Sequence, residues 1–574
     1  MMERRKHVES DEPTQQMPLR LWPGVVIVML QWLLRFIIPM FVTDAIFLTI
    51  GILGGFLGGL AVFIWWAFFS RAPRFERWGA IVLVIITLIV TSRLTHESIA
   101  TAQAGLTFFL YAIPVLSLAF VIWAVACNRL TDIPRRVAMV VTVLLACGGW
   151  TLVRTEGMTS DIGHDFVWRW AMAPEEQLMA QSDEELKMIP SVSATMDTRA
   201  EWPGFRGPGR DGILRGVQIE TNWTASPPTE LWRRPIGPGF SSFAVSGDLL
   251  YTQEQRGEDE VVACYNLTTG EPVWRHHDAV RFVGADANPG PRATPTLSNG
   301  RIYTFGATGI LNALNASDGT LVWSRNAASD ADVKVPVWGF ASSPLVVEDI
   351  VIVHVVSKLL TYDLATGDQR WVGQVGTGYS SPQLMTINGI PQILFLSGVG
   401  ITSFAPADGT ILWEHPWPTD DRILQPALIP DSDLLISTVL KSVRRIAVSK
   451  GSDGWTVEER WTSTRLKSNF FDIVVHEGHA YGFDGPSLAC IDLKDGTRKW
   501  KSRRYGGQLV LLADQDVLVV LTEKGELALI DAVPDKFTEL AKFQAIEGKT
   551  WNHPVLVGNI LVIRNSQEMV AFRM

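Results

Sequence analysis

The stretch "YNLTTGEPVW", residues 265–274, decides the fold because the chain repeats it. Copies stand at 314–323 ("LNASDGTLVW"), 362–371 ("YDLATGDQRW"), 404–413 ("FAPADGTILW") and 491–500 ("IDLKDGTRKW"). The shared pattern is an apolar residue, Asn or Asp, two variable residues, Thr or Asp, Gly, three variable residues and Trp. Only one copy breaks the Asn/Asp position, with Ala405. Looser copies end on Trp461 and Phe543. From Trp274 to Trp500 the aromatic anchors recur every 39 to 49 residues.

The pattern is a strand, a turn and a strand. Asn or Asp closes an Asx-type turn, and Gly supplies the positive φ of a tight reversal. The Trp falls on the following strand, where its ring can dock against the neighbouring unit. Between the copies lie alternating apolar runs such as "RIYTFGATGILNAL", which read as two further strands. Four strands per repeat of this length predict a propeller blade. Outer strands marked by Trp232, Trp274, Trp323, Trp371, Trp413, Trp461, Trp500 and Phe543 predict eight blades. The last is completed by "ELWRRPIG" (230–237), which joins the C-terminal strands and leaves no open sheet edge. The fold class is an all-β eight-bladed propeller over 201–574.

Ahead of it lie an acidic linker (156–200) and apolar segments at 21–42, 45–69, 78–91, 105–126 and 137–153. These predict a domain of about five transmembrane helices, most of them near the ~20 residues that span a bilayer. Arg4, Arg5, Lys6 and Arg20 flank the first segment, and basic residues cluster again in the second and fourth loops. That bias predicts a cytoplasmic tail (1–20), a multi-pass inner-membrane anchor in contact with the lipid bilayer, and a periplasmic propeller. All ten histidines lie outside the apolar segments, which excludes a bis-His haem within them. "GILGGFLGG" (51–59) has the small-residue spacing of close helix packing.

A formal net charge of −9 argues against nucleic acid as a partner. The four cysteines form no CxxC pair, and Cys264 and Cys490 fall in well-separated blades. "HEGH" (476–479) lacks the spacing of a zinc protease and reads as a hairpin turn. The acidic "EQRGEDE" (254–260) reads as a solvated hairpin tip.

These repeats resemble those of the pyrroloquinoline quinone (PQQ) repeat propellers. "EWPGFRGPGRDG" (201–212) is similar to the segment that precedes the propeller in many of them. The family includes quinoprotein dehydrogenases, which hold PQQ and calcium on the propeller axis. It also includes non-enzymatic members of the outer-membrane protein assembly machinery. The anchor-plus-propeller layout resembles membrane-bound quinoprotein glucose dehydrogenase. For an enzyme the resemblance implies an Asp base and calcium held by carboxylate and amide oxygens. Neither set can be matched to this sequence, and there is no vicinal Cys–Cys pair.

Ligands on propellers bind at a mouth of the axial channel, near the starts of the inner strands. Those starts carry Arg292, Trp338, Tyr379, Gln425, Lys467, Asn469, Trp551, Asn552 and His553. Arg292 and Lys467 would meet an anionic group and the aromatics a flat ring; no metal set is expected. The expected function is a platform for protein partners in the cell envelope. The alternatives are a PQQ- and calcium-dependent dehydrogenase passing electrons to membrane quinone, and a sensor of a small axial ligand.

Overall fold

The computed structural model describes residues 20–41, 45–158, 163–185, 200–284, 289–419, 422–430, 433–468, 470–502 and 505–574. The chain divides into two units, Met1–Thr155 with Phe166–Trp170, and Glu156–Asp165 with Ala171–Met574.

The first unit is helical. Trp22–Trp32 runs through a π turn (Leu33–Ile37) into Ile38–Phe41, and Ala45–Ile64 ends in a second π turn at Trp65–Phe69. Arg74–Leu94, Thr107–Ala126 and Asp132–Gly148 follow. Among the described residues four stretches are long and apolar enough to cross a membrane: Thr49–Phe69, Arg74–Leu94, Thr107–Ala126 and Asp132–Leu152. Trp22–Ile37 is shorter. The segment expected at 78–91 is longer than its apolar run, because its first turn carries Arg74, Glu76 and Arg77 and its last Arg93. Glu76 is buried there and paired with Arg135 (2.7 Å) and Arg136 (3.0 Å). The glycine stripe packs as its spacing predicts. A Cβ on Gly58 would stand 2.5 Å from Gln31, and one on Gly59 2.3 Å from Ile113.

The second unit is the eight-bladed propeller, each blade a four-stranded antiparallel sheet. From the axis outward, blade 1 is Ala244–Ser246, Leu249–Arg256, Asp259–Asn266 and Pro272–Asp278. The inner strands of blades 2 to 7 begin at Thr296, Leu345, Gln383, Ala427, Val474 and Gly507. Blade 8 takes Val555–Val557, Ile560–Arg564 and Glu568–Arg573, and its outer strand is Thr229–Pro235. Each blade is covered by two neighbours. Strands such as Leu249–Arg256, Ile350–Val355 and Val517–Thr522 are therefore buried at every residue. A helix in the acidic stretch, Pro174–Glu185, packs on this unit through buried Leu178 and a Glu175–Arg281 pair.

The repeated motif joins one blade to the next. Asn266 Oδ1 accepts from the backbone N–H groups of Thr268 and Thr269, and Asp363 does the same for Ala365 and Thr366. The indole N–H of each blade then donates to the turn of the following blade. Trp232 reaches Leu267 O, Trp274 Ala316 O, Trp323 Leu364 O, Trp371 Pro406 O, Trp461 Leu493 O and Trp500 Val533 O, all at 2.8–3.1 Å. The turn glycine lies flat on the same ring at Trp232, Trp274, Trp323, Trp371 and Trp461; the turn facing Trp500 has none. Trp413 departs from the rule and donates to Gln392 Oε1 within its own blade. Blade 5 has long strands, Val443–Gly451 and Gly454–Ser463, where its neighbours have the short turn.

The stretch 254–260 corrects an expectation. Only its tip is exposed; Glu254, Arg256 and Glu260 are buried. Glu254 pairs with Arg256 (2.9 Å) and accepts from Tyr265 Oη, beside the seam where blade 8 meets blade 1. Arg564 of blade 8, fully buried, donates across that seam to Gly237 O, Gln253 O and Thr252 Oγ1. Buried charge of this kind persists only when paired and hydrogen-bonded, so the acidic run is structural.

Gly300 and Gly319 of blade 2 separate two causes. Both have positive φ (+73° and +72°), but a Cβ on Gly300 meets open space and one on Gly319 would stand 2.4 Å from the Trp274 ring. Gly300→Ala should cost about 1–2 kcal/mol, the left-handed backbone penalty alone. Gly319→Ala should cost roughly 1–3 kcal/mol more, since the ring must also shift. Denaturant midpoints of the two variants check this.

Candidate functional site

Inter-blade loops and the turns between second and third strands share one face of the ring, where the inner strands begin. The sequence gives these starts small hydroxyl residues, and their role is specific. Ser242 Oγ donates to His553 O, Ser242 N to Thr294 Oγ1, Thr294 N to Ser343 Oγ, Ser343 N to Ser381 Oγ, and Ser380 Oγ to Leu424 O. A hydrogen-bonded belt thus passes around the axis from blade 8 through blade 1 to blade 5.

The axis inside this belt is filled by the chain's own residues 201–214. Trp202, buried, pairs with Val245 of blade 1, and Pro203 O accepts from Leu297 N of blade 2. Arg210 donates to the carbonyls of Ser343, Pro344 and Pro382 at the entrances to blades 3 and 4. Arg206 donates to Ile473 O at blade 6 and lies 3.0 Å from the Asp472 carboxylate. Ile213–Leu214 then adds a short parallel strand to the inner edge of blade 7. Two glycines make the path possible. Gly204 passes within 2.8 Å (as a Cβ) of Pro295 O, and Gly207 has φ +83° under the Trp202 ring.

The electrostatics of the axis are closed in the same way. Burial alone would raise the Asp472 carboxyl, but Arg206 and then His553 outweigh it and hold it below the ordinary range. His553 Nε2 bonds Asp472, and Phe205 stacks edge-on to the imidazole at 5.0 Å. Burial, with the Arg206 charge second, pulls Arg210 down to about 10.

The sequence-derived candidates divide into three groups. Asn552 and His553 turn into this packing: Asn552 Nδ2 donates to Gly239 O and Ser241 O, and His553 meets Asp472. Arg292, Trp338 and Trp551 stand at the mouth. Arg292 lies over the Phe240 and Phe282 rings and donates to Trp338 O, while Trp551 packs on Phe240 and Phe470 and donates to Glu523. Tyr379 and Gln425 are half-buried; the Tyr379 N–H donates to Arg422 O. Lys467 is drawn off the axis toward Asp484. Asn469 lies outside the described residues. The structure therefore brings Arg292, Trp338 and Trp551 to one rim and gives Asn552 and His553 structural partners.

Sequence reasoning missed Arg206, Arg210 and Asp472. The run 201–212 carries the family likeness, and its two arginines among glycines are the signal that could have found them. Glu260 was also missed. Burial raises its carboxyl to about 7, with Asp278 adding to the effect and hydrogen bonds from Ala307 N and Thr308 Oγ1 opposing it.

The axis does not fit PQQ and calcium, which some members of the resembling family hold. Its space is taken by Phe205, Arg206 and Arg210, and Asp472 is already committed to Arg206 and His553. Among the described residues no three His, Cys, Asp or Glu side chains gather as metal ligands. Cys264 and Cys490 are free and buried. "HEGH" is a hairpin turn between Val474–His476 and His479–Asp484, as its sequence predicts. Away from the axis, helix Pro174–Glu185 and blades 7 and 8 enclose a depression of about 750 Å³.

Comparison with known proteins agrees with this architecture. The family described as outer membrane protein assembly factor BamB matches three overlapping stretches, 220–392, 258–426 and 397–573. The chain belongs to this family of PQQ-like repeat propellers. Similar curated proteins include the outer membrane protein assembly factor BamB of Shewanella oneidensis, 31% identical over 113 residues (19% of this chain, 26% of that protein). That of Yersinia pestis is 22% identical over 159 residues (26% of this chain, 37% of that protein). These alignments span about a quarter and about a third of the relatives' own length. Among solved structures, BamB from Moraxella catarrhalis matches with a TM-score of 0.45 and 15% identity, covering 60% of this chain and 98% of that one. Quinohemoprotein alcohol dehydrogenase from Comamonas testosteroni matches with a TM-score of 0.49 and 13% identity, covering 69% and 84%.

Two predictions follow from the axis and its rim. Arg206→Met leaves the buried Asp472 with His553 alone and removes a donor from Ile473 O. It should cost about 3–5 kcal/mol in the denaturant midpoint, the range for breaking a buried pair from one side. For Glu260 the sign is set by its raised value: the native state keeps the proton to about pH 7, whereas the unfolded chain loses it near about 4.3. Native protein binds more protons in that window, so stability falls as pH rises through it. Glu260→Gln should gain on the wild type by up to about 3 kcal/mol between pH 5 and pH 8, read from denaturation at both.

Proposed function

We propose that the chain is a membrane-anchored propeller whose loop-bearing face docks protein partners in the cell envelope. The observation that carries this reading is the filled axis beside an open face. Residues 201–214 occupy the axis, while inter-blade loops and turns on the same side expose Val283, Val337, Trp338, Val399 and Leu440. Exposed apolar side chains on a rigid rim, with Arg292 among aromatics, suit protein recognition more than catalysis. The relatives named as outer membrane assembly factors support the same reading. The apolar helices and the basic residues around them support a multi-pass inner-membrane anchor with the propeller in the periplasm. Domain limits of 1–20, 21–155, 156–200 and 201–574 belong to this proposal.

The test places a photoreactive residue at 337, at 338 and, as a control on the outer strand of blade 7, at 540. We expect discrete crosslinks to envelope proteins from 337 and 338, absent from 540 and lost when Val337→Glu is combined with the probe at 338. Equal crosslinking at 540, or none at either rim position, would overturn the docking face. Saturable, calcium-dependent PQQ binding by the folded full-length chain would restore the dehydrogenase reading.

A further inference from the structure

One corner of blade 6 carries more positive charge than the described residues around it neutralise. Asp484 ends the second strand, His479–Asp484, on the loop-bearing face, and its side chain is 4% exposed. Its Oδ2 accepts from Arg498 Nη2 (2.5 Å) and from Lys501 Nζ (2.8 Å), both on the outer strand Arg498–Lys501. Lys467 Nζ stands 3.9 Å from Oδ1 and comes from the loop that enters the blade. Among the described residues three cations thus share one carboxylate, a surplus of two charges. The cationic side chains keep between 26% and 37% of their surface exposed.

The same corner holds buried polar atoms with no partner. Asp484 Oδ1, Arg498 Nε and Ser502 Oγ are inaccessible and make no hydrogen bond. Ser502 is 8% exposed and follows Lys501; its N–H donates to Leu488 O, next to Ser487, which pairs with Asp484. Native proteins satisfy nearly all such groups; Arg498 Nε and Ser502 Oγ are donors that an anion would satisfy, whereas Asp484 Oδ1 is an acceptor that faces Lys467.

We infer that this corner binds a phosphate group, with Lys467, Arg498 and Lys501 as its cationic walls and Asp484 holding them in register. A phosphate carries up to about two negative charges near neutral pH and matches the surplus, whereas one carboxylate does not. Arginine supplies a planar pair of donors and the two lysines mobile point charges, a combination suited to tetrahedral oxyanions. The site is independent of the docking reading above. The phosphate can come from free inorganic phosphate, which matches the surplus in charge, or from a phospholipid headgroup, a phosphodiester that carries one charge and matches the site through its tetrahedral oxygens.

The test is isothermal titration of the full-length chain in a neutral detergent at fixed ionic strength. One arm uses inorganic phosphate; the other uses short-chain phosphatidylglycerol against phosphatidylcholine of the same chain length. Saturable binding of inorganic phosphate assigns the free ion, and saturation by phosphatidylglycerol alone assigns the headgroup. In either case the Arg498→Gln/Lys501→Gln variant should bind at least about tenfold more weakly, while Asp484→Asn, which raises the surplus to three, should bind more tightly. If the double variant does not fold, Lys467→Gln on the exposed loop should still weaken binding several-fold. No saturable heat with either probe, or equal binding by wild type and folded variants, would overturn the site.

Discussion

The propeller depends on a contact between an indole and a turn. At five of these contacts the Trp of one blade lies on the glycine-ending turn of the next, donates to its carbonyl, and requires that glycine because any Cβ would enter the ring. The turn must also have positive φ at that glycine, so the backbone and the ring ask for the same residue. This contact fixes the angle and separation of neighbouring blades. Where the turn is lost, at blade 5, the buried Gln392 becomes the acceptor for Trp413 and the ring stays in place. At blade 7 Phe543 replaces Trp and packs between Trp223 and Phe572 at 5.3 Å from each.

Setting eight blades at one angle fixes the radius of the hole they enclose. A hole lined by strand starts must hold water, a ligand or protein. Here it holds protein, and the residues that cross it are largely polar. Arg206 and Arg210 serve up to five carbonyls and a carboxylate between them, so their value lies in geometry more than in ion pairing. These contacts come from blades 3, 4 and 6, and they tie a ring with only nearest-neighbour contacts across its centre. Repeat architectures are otherwise stabilised by adjacent units alone.

The repeat, the blade number and the closing strand were legible because they follow from periodicity, glycine and tryptophan. The filled axis was not. Residues 201–212 lie outside the repeat, and nothing in "FRGPGRDG" says that its arginines point at carbonyls from three blades. The same limit explains the candidates. Position at an inner-strand start does place Arg292, Trp338 and Trp551 at the rim, but it cannot show that His553 is already held by Asp472 or that Lys467 leans outward. The acidic run 254–260 misled for the opposite reason. Charge density suggested solvent, while ring closure buried the charges against Arg564, more than 300 residues away in sequence.

Two charged clusters in this propeller show how burial separates structure from recognition. At the seam, Glu254, Arg256 and Arg564 are almost wholly enclosed, and they bond to backbone groups, hydroxyls and one another. Such a set offers nothing to a ligand without opening the ring. At the corner of blade 6 the carboxylate is equally buried, but the cations around it are partly exposed and outnumber it. Like charges held together by one buried partner repel one another, and the repulsion is relieved most by an anion approaching from solvent. The first arrangement is the signature of a closed structural joint, and the second that of a surface prepared to receive charge.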